Sequence, residues 1–217
     1  MARPATARPR LVVATRSAHK LRELGELLHL ELGVLLSLDD LGVPGEPVED
    51  GATFEANARI KARFAADATG LPSLADDSGI EVDALGGGPG VRTRRYSGPD
   101  ATDASNNAKL LAALDGLPPE RRGARYVCVL ALALPEAEAR EPRAGRPLVL
   151  RRGTCRGRIA TSPRGDGGFG YDPIFEPAAE PPGGRTLGLY APAEKHAISH
   201  RARAARRMVP VLRSLGF

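Results

Sequence analysis

Cysteine and tryptophan are scarce in this chain of 217 residues, which contains two cysteines and no tryptophan. Cys128 lies inside an apolar run, and neither Cys128 nor Cys155 belongs to a CxxC pair. This pattern provides no disulfide framework. We therefore expect a protein of a reducing compartment, with the cytoplasm as its location.

Long apolar runs are also missing. The run over residues 11–14 is too short for the core of a signal peptide, and no stretch approaches the length needed to cross a membrane. We therefore expect no membrane partner. Residues 1–9 are predicted to form a disordered leader, and residues 10–217 a single domain.

Aromatic residues amount to 4% of the chain, and only Lys20, Lys61, Lys109 and Lys195 are lysines among 31 basic residues. The net charge of +5 indicates an anionic partner, although a coding bias toward arginine explains most of the excess. A nucleic-acid surface needs a basic stripe or stacking rings, whereas the basic residues here are scattered. We expect no nucleic-acid partner, and a phosphorylated small molecule remains as the candidate for the anionic partner.

Hydrophobic periodicity predicts an α/β fold with a mixed sheet. The predicted strands cover residues 10–15, 34–38, 73–77, 79–85, 125–134 and 147–160. The last two form an antiparallel pair with a hairpin tip between them, and glycines in the final strand suggest bends or bulges. The predicted helices cover about 18–30, 54–68 after a Thr53 cap, 101–114, and 193–214 with a kink at Pro210.

The turn over residues 15–20, TRSAHK, joins a buried strand to a helix. A helix N-terminus in this position offers free backbone N–H groups and the positive end of a dipole, and Lys20 adds a charge. The turn therefore resembles a phosphate site, although it lacks the G-x-x-x-x-G-K pattern of a P-loop.

The chain contains two pairs of adjacent acidic residues that could belong to a site. Glu49 and Asp50 precede a predicted helix, where Asp50 fits a capping role, and Asp76 and Asp77 end a predicted strand. A turn would explain the second pair, but neighbouring carboxylates repel each other unless a positive group lies between them. Hard oxygen ligands without nearby histidine or cysteine suit Mg²⁺, which binds through one or two carboxylates plus substrate phosphates.

A glycine-rich segment, GGFGYDPIF over residues 167–175, carries two aromatic rings. Its glycines allow a close backbone approach, and Phe169 and Tyr171 offer flat faces. The segment alone fits either a structural turn with buried aromatics or a loop that stacks on a purine.

Two histidines, His196 and His200, lie four residues apart in a predicted helix. They lack the glutamate and the third ligand of a zinc motif, so zinc is not expected. Together with Lys195 and Arg201, His200 indicates binding of anions and carbonyl groups.

Six motifs follow one another along the chain: TRSAHK, EDGATFEANARIKA, ADDSG, LGGGPGVRTRRYSG, GFGYDPIF and EKHAISHR. Over residues 10–217 they resemble the noncanonical purine nucleoside triphosphate pyrophosphatases, also called the inosine triphosphate pyrophosphatase family. The resemblance implies a homodimer and an elongated mixed sheet with two lobes around a central nucleotide-binding cleft. It also implies Mg²⁺-dependent hydrolysis of inosine, deoxyinosine and xanthosine triphosphates to the monophosphate and pyrophosphate, which cleanses the nucleotide pool.

The resemblance also implies roles for individual residues. Asp77 is the catalytic base that orients or deprotonates a water for attack at the α-phosphorus, and Glu49 and Asp77 are the metal ligands. The implied substrate-binding residues are Thr15, Arg16, Ser17, Ala18, His19, Lys20, Lys61, Ser78, Phe169, Gly170, Tyr171, Asp172, Lys195, His200 and Arg201.

Several points stay open in the sequence. The family usually has asparagine at the position of Ser17, and serine keeps one hydrogen bond with a shorter reach. Either Glu46 or Glu49 could face the metal. Two other functions also remain: hydrolysis of standard or pyrimidine triphosphates, and nucleic-acid binding without catalysis.

Overall fold

Six strands form one mixed sheet in a computed structural model, which describes residues 9–31, 33–135 and 148–217. The strands are β1 (Leu11–Val13), β2 (Leu35–Ser37), β3 (Ser73–Val82), β4 (Gly123–Ala133), β5 (Leu148–Ile159) and β6 (Phe175–Pro177). Their order across the sheet is β2-β1-β3-β4-β5-β6. Strand β1 is parallel to β2 and β3, and the other pairings are antiparallel.

Helices cover both faces of this sheet. They are α1 (Ala18–Leu28), α2 (Phe54–Thr69), α3 (Asp103–Ala113), α4 (Pro192–Ile198) and α5 (His200–Ser214). Apolar residues of α1 and α5 share one buried cluster with β3 and β4, whereas α2 packs in a separate cluster on the same strands. The predicted start of α2 is confirmed, because the Thr53 hydroxyl accepts a hydrogen bond from the Ala56 N–H at 3.1 Å.

Strand β3 is one continuous strand, so the prediction of two strands over residues 73–77 and 79–85 is wrong. Its pairing with β4 runs without a break from Ser73 to Val82, and Gly79 pairs with Val127 within that ladder. Asp76 and Asp77 therefore lie within the strand and do not end it. However, β1 pairs with Ser73 and Leu74 and then ends. The two aspartates thus lie at an open edge, just beyond the carboxyl end of β1.

Alternation along β3 sends the two neighbouring aspartates to opposite faces of the sheet. Asp76 lies opposite Leu130, which belongs to the α1/α5 cluster, and Asp77 lies opposite Val129, which belongs to the α2 cluster. This separation reduces the repulsion between the two carboxylates.

The predicted C-terminal helix over residues 193–214 is two helices, so this prediction is wrong. Ser199 adopts an extended conformation, and its hydroxyl caps α5 by accepting a hydrogen bond from the Ala202 N–H at 3.1 Å. Consequently His196 and His200 belong to different helices. Helix α5 continues through Pro210 to Ser214.

The prediction for the glycines of β5 was bends or bulges, and they do not mark bulges. The β4–β5 register is unbroken from Gly123↔Arg158 to Ala133↔Leu148, which confirms the antiparallel pair. Glycine is needed for close packing, because a Cβ on Gly153 would lie 2.1 Å from the His200 carbonyl oxygen. The predicted hairpin tip, residues 136–147, lies outside the described residues.

Two core regions follow the long strands. One contains Leu74 and Leu130 with α1 and α5, and the other contains Ile80, Tyr126 and Phe175. Residues 76–79 of β3 lie between the two regions. An elongated mixed sheet with a cleft between two lobes was predicted, and this arrangement agrees with it.

Candidate active site

The turn between β1 and α1 presents a helix N-terminus at the open sheet edge. Ser17 is the N-cap residue, and its hydroxyl accepts a hydrogen bond from the backbone N–H of Lys20 at 3.3 Å. The Ser17 N–H donates to the Thr15 hydroxyl at 3.1 Å. Serine is a favourable N-cap, so the substitution for asparagine preserves the helix start. Ala18 and His19 follow in the first turn, and the His19 side chain is outside the described part.

Arg16 holds the loop that follows β2. Its guanidinium donates to the Asp39 carboxylate and to the carbonyl oxygens of Val43 at 2.9 Å and Gly45 at 2.6 Å. The Glu46 carboxylate lies 3.6 Å from Arg16 Nε. Arg16 is therefore engaged with protein groups, and Glu46 is paired with Arg16.

Asp76 is a buried carboxylate surrounded by positive charge. Lys20 Nζ lies 3.4 Å from one oxygen, and Arg201 and the Ser78 hydroxyl each lie 3.3 Å from the other. Burial alone would raise the pKa of Asp76, but the charges of Lys20, Arg201 and Lys61 outweigh it and hold the pKa well below its ordinary value. Asp76 is thus a permanently ionised anchor.

Asp77 has the opposite electrostatic character. Burial raises its pKa above the ordinary value, assisted by the charges of Glu49 and Asp76 and opposed by Lys61. Lys61 Nζ lies 2.7 Å from Asp77 and 3.2 Å from Glu49. Burial opposes the ionisation of Lys61, but the carboxylates of Asp76, Asp77 and Glu49 outweigh it and raise the pKa of Lys61, so it stays protonated. Of the two aspartates, only Asp77 has a pKa shifted in the direction that suits a general base.

The predicted glycine-aromatic segment forms a turn fixed by Asp172. The Asp172 carboxylate accepts hydrogen bonds from the Phe169 N–H at 2.8 Å and from Lys195 Nζ at 2.5 Å. Lys195 Nζ also lies 4.3 Å from the centre of the Phe169 ring, which is 42% exposed. The Asn107 amide donates to the Gly170 carbonyl at 3.0 Å. Phe169 is therefore held in place while part of its ring faces solvent.

The buried residues His200 and Arg201 begin helix α5 beside this turn. The His200 ring stacks on the Tyr126 ring at 4.7 Å, and burial together with the charges of Arg201 and Lys195 lowers the pKa of His200 well below its usual range. Arg201 donates to both oxygens of Glu23, at 3.1 and 3.0 Å. Among the described residues, the buried atoms His200 Nδ1 and Arg201 Nε have no hydrogen-bond partner. Buried polar atoms of this kind usually have one, so these atoms are candidates for a ligand.

Three residues of this site were missed as functional residues by sequence reasoning. Glu23 lies three residues after Lys20, a helical spacing that would have placed it beside the cleft. Tyr126 alternates inward on β4 without a local motif, and its hydroxyl lies 3.3 Å from Asp172. Arg94 lies in one of the recognised motifs but had received no role.

These residues line one cleft with two pockets. The acidic pocket, of about 360 Å³, includes Thr15, Arg16, Glu49, Lys61 and Asp76. The aromatic pocket, of about 280 Å³, includes Ser78, Phe169, Gly170, Tyr171, His200 and Arg201. Ser17, Lys20 and Arg94 line both pockets. Asp77 contacts the pocket-lining Lys61, whose Nζ lies 2.7 Å from it. Lys195 contacts both Asp172 and the ring of Phe169.

A metal site at Glu49 and Asp77 is compatible with this geometry. Within the described ranges, no cluster of three or more histidine, cysteine or acidic side chains could hold a metal ion. Mg²⁺ needs fewer protein ligands, because substrate phosphates and waters complete its coordination. Glu49 and Asp77 both contact Lys61 Nζ, so their hard oxygen atoms converge on one positive group. This donor set fits Mg²⁺ and favours Glu49 over Glu46.

Comparison with known proteins identifies the family. The sequence model of the Ham1 family matches residues 11–211. This chain belongs to the Ham1 family. The Ham1 chain is 50% identical over 194 residues to a dITP/XTP pyrophosphatase of Syntrophobacter fumaroxidans, covering 89% of this chain and 78% of that protein. A dITP/XTP pyrophosphatase of Mycolicibacterium paratuberculosis is 50% identical over 209 residues, covering 94% and 96% of the two chains.

Solved structures agree with this membership. A HAM1 protein from Coxiella burnetii has a TM-score of 0.82 and 40% identity to this chain, covering 95% of it and 99% of the other protein. The predicted resemblance to the pyrophosphatase family and the predicted mixed α/β fold are confirmed. In the described part of the Ham1 chain, no helix combines the length and apolar character needed to cross a membrane.

Proposed function

We propose that this protein is a nucleoside triphosphate pyrophosphatase that hydrolyses inosine, deoxyinosine and xanthosine triphosphates to the monophosphate and pyrophosphate. The observation that carries the proposal is the single cleft, which joins a cation-lined helix N-terminus and paired carboxylates to an aromatic pocket with unpartnered polar atoms. Two relatives with 50% identity, both dITP/XTP pyrophosphatases, support the same substrate class.

The acidic pocket would bind the triphosphate. The first turn of α1 and Lys20 would attract its negative charge, and Lys61, which is paired with Glu49 and Asp77, would also face the phosphates. Asp77, whose pKa is raised by burial, would accept a proton from the attacking water. Bound Mg²⁺, held by Glu49 and Asp77, would neutralise phosphate oxygens and make pyrophosphate a better leaving group.

The aromatic pocket would read the base. Phe169 offers a partly exposed ring for stacking, and Arg201 is always a hydrogen-bond donor. Because His200 is neutral, one of its ring nitrogens donates and the other accepts. Donors facing the C6 carbonyl of hypoxanthine or xanthine would be left unpaired by the amino group of adenine. Guanine also has a C6 carbonyl, so its 2-amino group would be excluded by the wall formed by residues 169–171.

We further propose a cytoplasmic homodimer acting on the free nucleotide pool, as the family resemblance implies. Light scattering coupled to size-exclusion chromatography should give twice the mass of the chain. A mass equal to one chain at micromolar concentration would contradict the dimer and leave the catalytic proposal intact.

Release of pyrophosphate from a nucleotide panel tests the function. We expect Mg²⁺-dependent turnover of inosine, deoxyinosine and xanthosine triphosphates, with kcat/KM on the order of 10⁴-fold lower for ATP and GTP. Arg201→Ala should lose most of the preference for inosine over adenosine while keeping the Mg²⁺ dependence. Equal turnover of ATP would reject the base-reading part. No pyrophosphate from any nucleotide would reject the enzyme and favour a binding protein.

A further inference from the structure

Arg94 occupies the junction between the two pockets. It lies in a 3₁₀ segment, Gly90–Arg95, that packs against β3, and it is exposed. Together with Ser17 and Lys20 it lines both the acidic and the aromatic pocket. A group at this position can reach the part of a ligand that connects its two ends.

The charge of Arg94 is uncommitted, unlike that of its neighbours. The other cationic side chains lining the two pockets are paired: Arg16 with Asp39 and Glu46, Lys20 with Asp76, Lys61 with Asp77 and Glu49, and Arg201 with Glu23 and Asp76. For Arg94, no carboxylate partner and no side-chain hydrogen bond is found in the part of the chain that the structure describes. A triphosphate entering the cleft therefore meets four cations that are paired with carboxylates. It also meets Arg94, which has no carboxylate partner among the described residues.

The backbone that carries Arg94 is fixed, although its side chain is exposed. The Asn106 amide donates to the Arg94 carbonyl at 3.1 Å, and the Tyr171 hydroxyl donates to the Thr93 carbonyl at 2.8 Å. The Thr93 hydroxyl accepts from the Ile80 N–H at 2.8 Å. A Cβ on Gly79 would lie 2.7 Å from the Gly90 carbonyl oxygen, so the segment packs directly on β3 two residues beyond Asp77.

We propose that Arg94 binds the α-phosphate of the substrate and is a catalytic residue of the hydrolysis, an inference that rests on the proposed function. In a nucleoside triphosphate the α-phosphate lies between the base and the two terminal phosphates, as Arg94 lies between the two pockets. The planar guanidinium presents several donors suited to phosphate oxygens.

During hydrolysis, charge is redistributed on the α-phosphate, beside the position proposed for Arg94. The water oxygen forms a bond to the α-phosphorus and its proton passes to Asp77. The bond from the α-phosphorus to the bridging oxygen breaks, and its electron pair leaves with pyrophosphate. A positive group fixed beside the α-phosphate oxygens stabilises the charge that is redistributed there. Because this phosphate stays on the monophosphate product, Arg94 should also bind the product.

Calorimetry with three partial ligands tests the assignment. We expect Arg94→Gln to weaken the binding of inosine monophosphate by about 10- to 100-fold, the scale of a charge-assisted hydrogen bond. Binding of inosine, which lacks the phosphate, and of pyrophosphate should change less than about twofold. The kcat/KM for inosine triphosphate should fall at least as much as the affinity for the monophosphate, and Arg94→Lys should restore part of both.

Arg95→Gln is the matched control, because Arg95 is the next residue in the same exposed 3₁₀ segment and lines neither pocket. Equal losses in the Arg94 and Arg95 variants would overturn the proposal, since they would reflect only the general charge. Equal weakening of inosine and its monophosphate would place Arg94 at the nucleoside, and selective loss of pyrophosphate would place it at the terminal phosphates. Failure of the unaltered protein to release pyrophosphate would instead reject the proposed function.

Discussion

At the residue scale, the two adjacent aspartates of β3 show how position alone separates two identical side chains. Asp76 points to the α1/α5 face and is held ionised by Lys20 and Arg201, whereas Asp77 points to the α2 face and meets Lys61. Only one of them has its pKa raised. The division of roles between an anchor and a base therefore follows from strand alternation and from the placement of the cations.

Asp77→Asn should lower kcat by about 10²- to 10⁴-fold, because the amide keeps the shape of the side chain but cannot accept the proton. Steady-state pyrophosphate release at saturating inosine triphosphate and Mg²⁺ measures the effect. Asp50→Asn is the control, since Asp50 is exposed and outside both pockets. A near-normal kcat for Asp77→Asn would remove this residue from the role of base.

The pH dependence of kcat should reflect the same carboxyl group. A general base acts only when ionised, so kcat should rise with pH as Asp77, whose pKa is raised by burial, loses its proton. Lys61 opposes the increase in the pKa of Asp77, because its positive charge stabilises the carboxylate. Removing its charge in Lys61→Met should therefore raise the pKa of Asp77 further and move the acid limb to higher pH.

Lys109→Met is the matched control for this experiment, because Lys109 lies on the exposed face of α3 and contacts Tyr96. The titration of the substrate is common to all three proteins and cancels in the comparison. A limb that stays in place, or moves to lower pH, in Lys61→Met would show that another group controls it.

At the element scale, the fit of α5 against β5 decides where the base-reading residues lie. Gly153 lets the helix start approach so closely that a Cβ would lie 2.1 Å from the His200 carbonyl and 2.4 Å from the Ala204 N–H nitrogen. Both contacts are with backbone, which cannot rotate away. The position of His200 and Arg201 therefore depends on the absence of a side chain on the neighbouring strand.

Gly153→Ala should destabilise the protein by about 1–3 kcal/mol, the range for overpacking, and should also weaken discrimination between inosine and adenosine triphosphates. Urea unfolding and the ratio of the two kcat/KM values measure these effects. Gly33→Ala is the control, because a Cβ at Gly33 meets no atom within 4 Å. Loss of stability with unchanged discrimination would separate the helix position from base reading.

Sequence patterns predicted most elements because their signals are local. The Thr53 cap and the apolar alternation of β4 depend on residues a few positions apart, and both are confirmed. The break at Ser199 was missed because an extended residue inside a helical pattern resembles a continuing helix until its capping bond is seen. The continuity of β3 was missed because its pairing with β4, more than forty residues away, outweighs the local signal of Gly79.

The site could be predicted only as far as its motifs reached. Residues such as Lys20 and Arg201 carry a chemical role that their motif indicates. The partners of the base-reading residues, Glu23 beside Arg201 and Tyr126 beside His200, come from other elements and carry no pattern of their own. Their contacts exist only after α1, β4 and α5 have packed, so they become visible only in the folded chain.

At the scale of the whole molecule, the two core regions share three continuous strands. Strands β3, β4 and β5 contribute residues to the cluster around α1 and α5 or α2, and also to the cluster around Phe175. No linker separates the regions along these strands. We therefore propose that residues 10–217 form one cooperative unit, although their cores lie on either side of a cleft.

Tyrosine fluorescence can test this cooperativity, because the chain has no tryptophan and its four tyrosines all belong to or pack against the Phe175 cluster. Helical circular dichroism instead reports mainly on α1, α2 and α5, which pack against the other clusters. We expect the two signals to be lost at the same urea concentration, as in a two-state transition. A ligand that spans the cleft should move both midpoints together. A nonhydrolysable inosine triphosphate analogue with Mg²⁺, at one hundred times its Kd, should add about 2.7 kcal/mol to the free energy of unfolding reported by either probe. Separate midpoints without ligand would contradict a single unit and show that the lobe with the tyrosines unfolds alone.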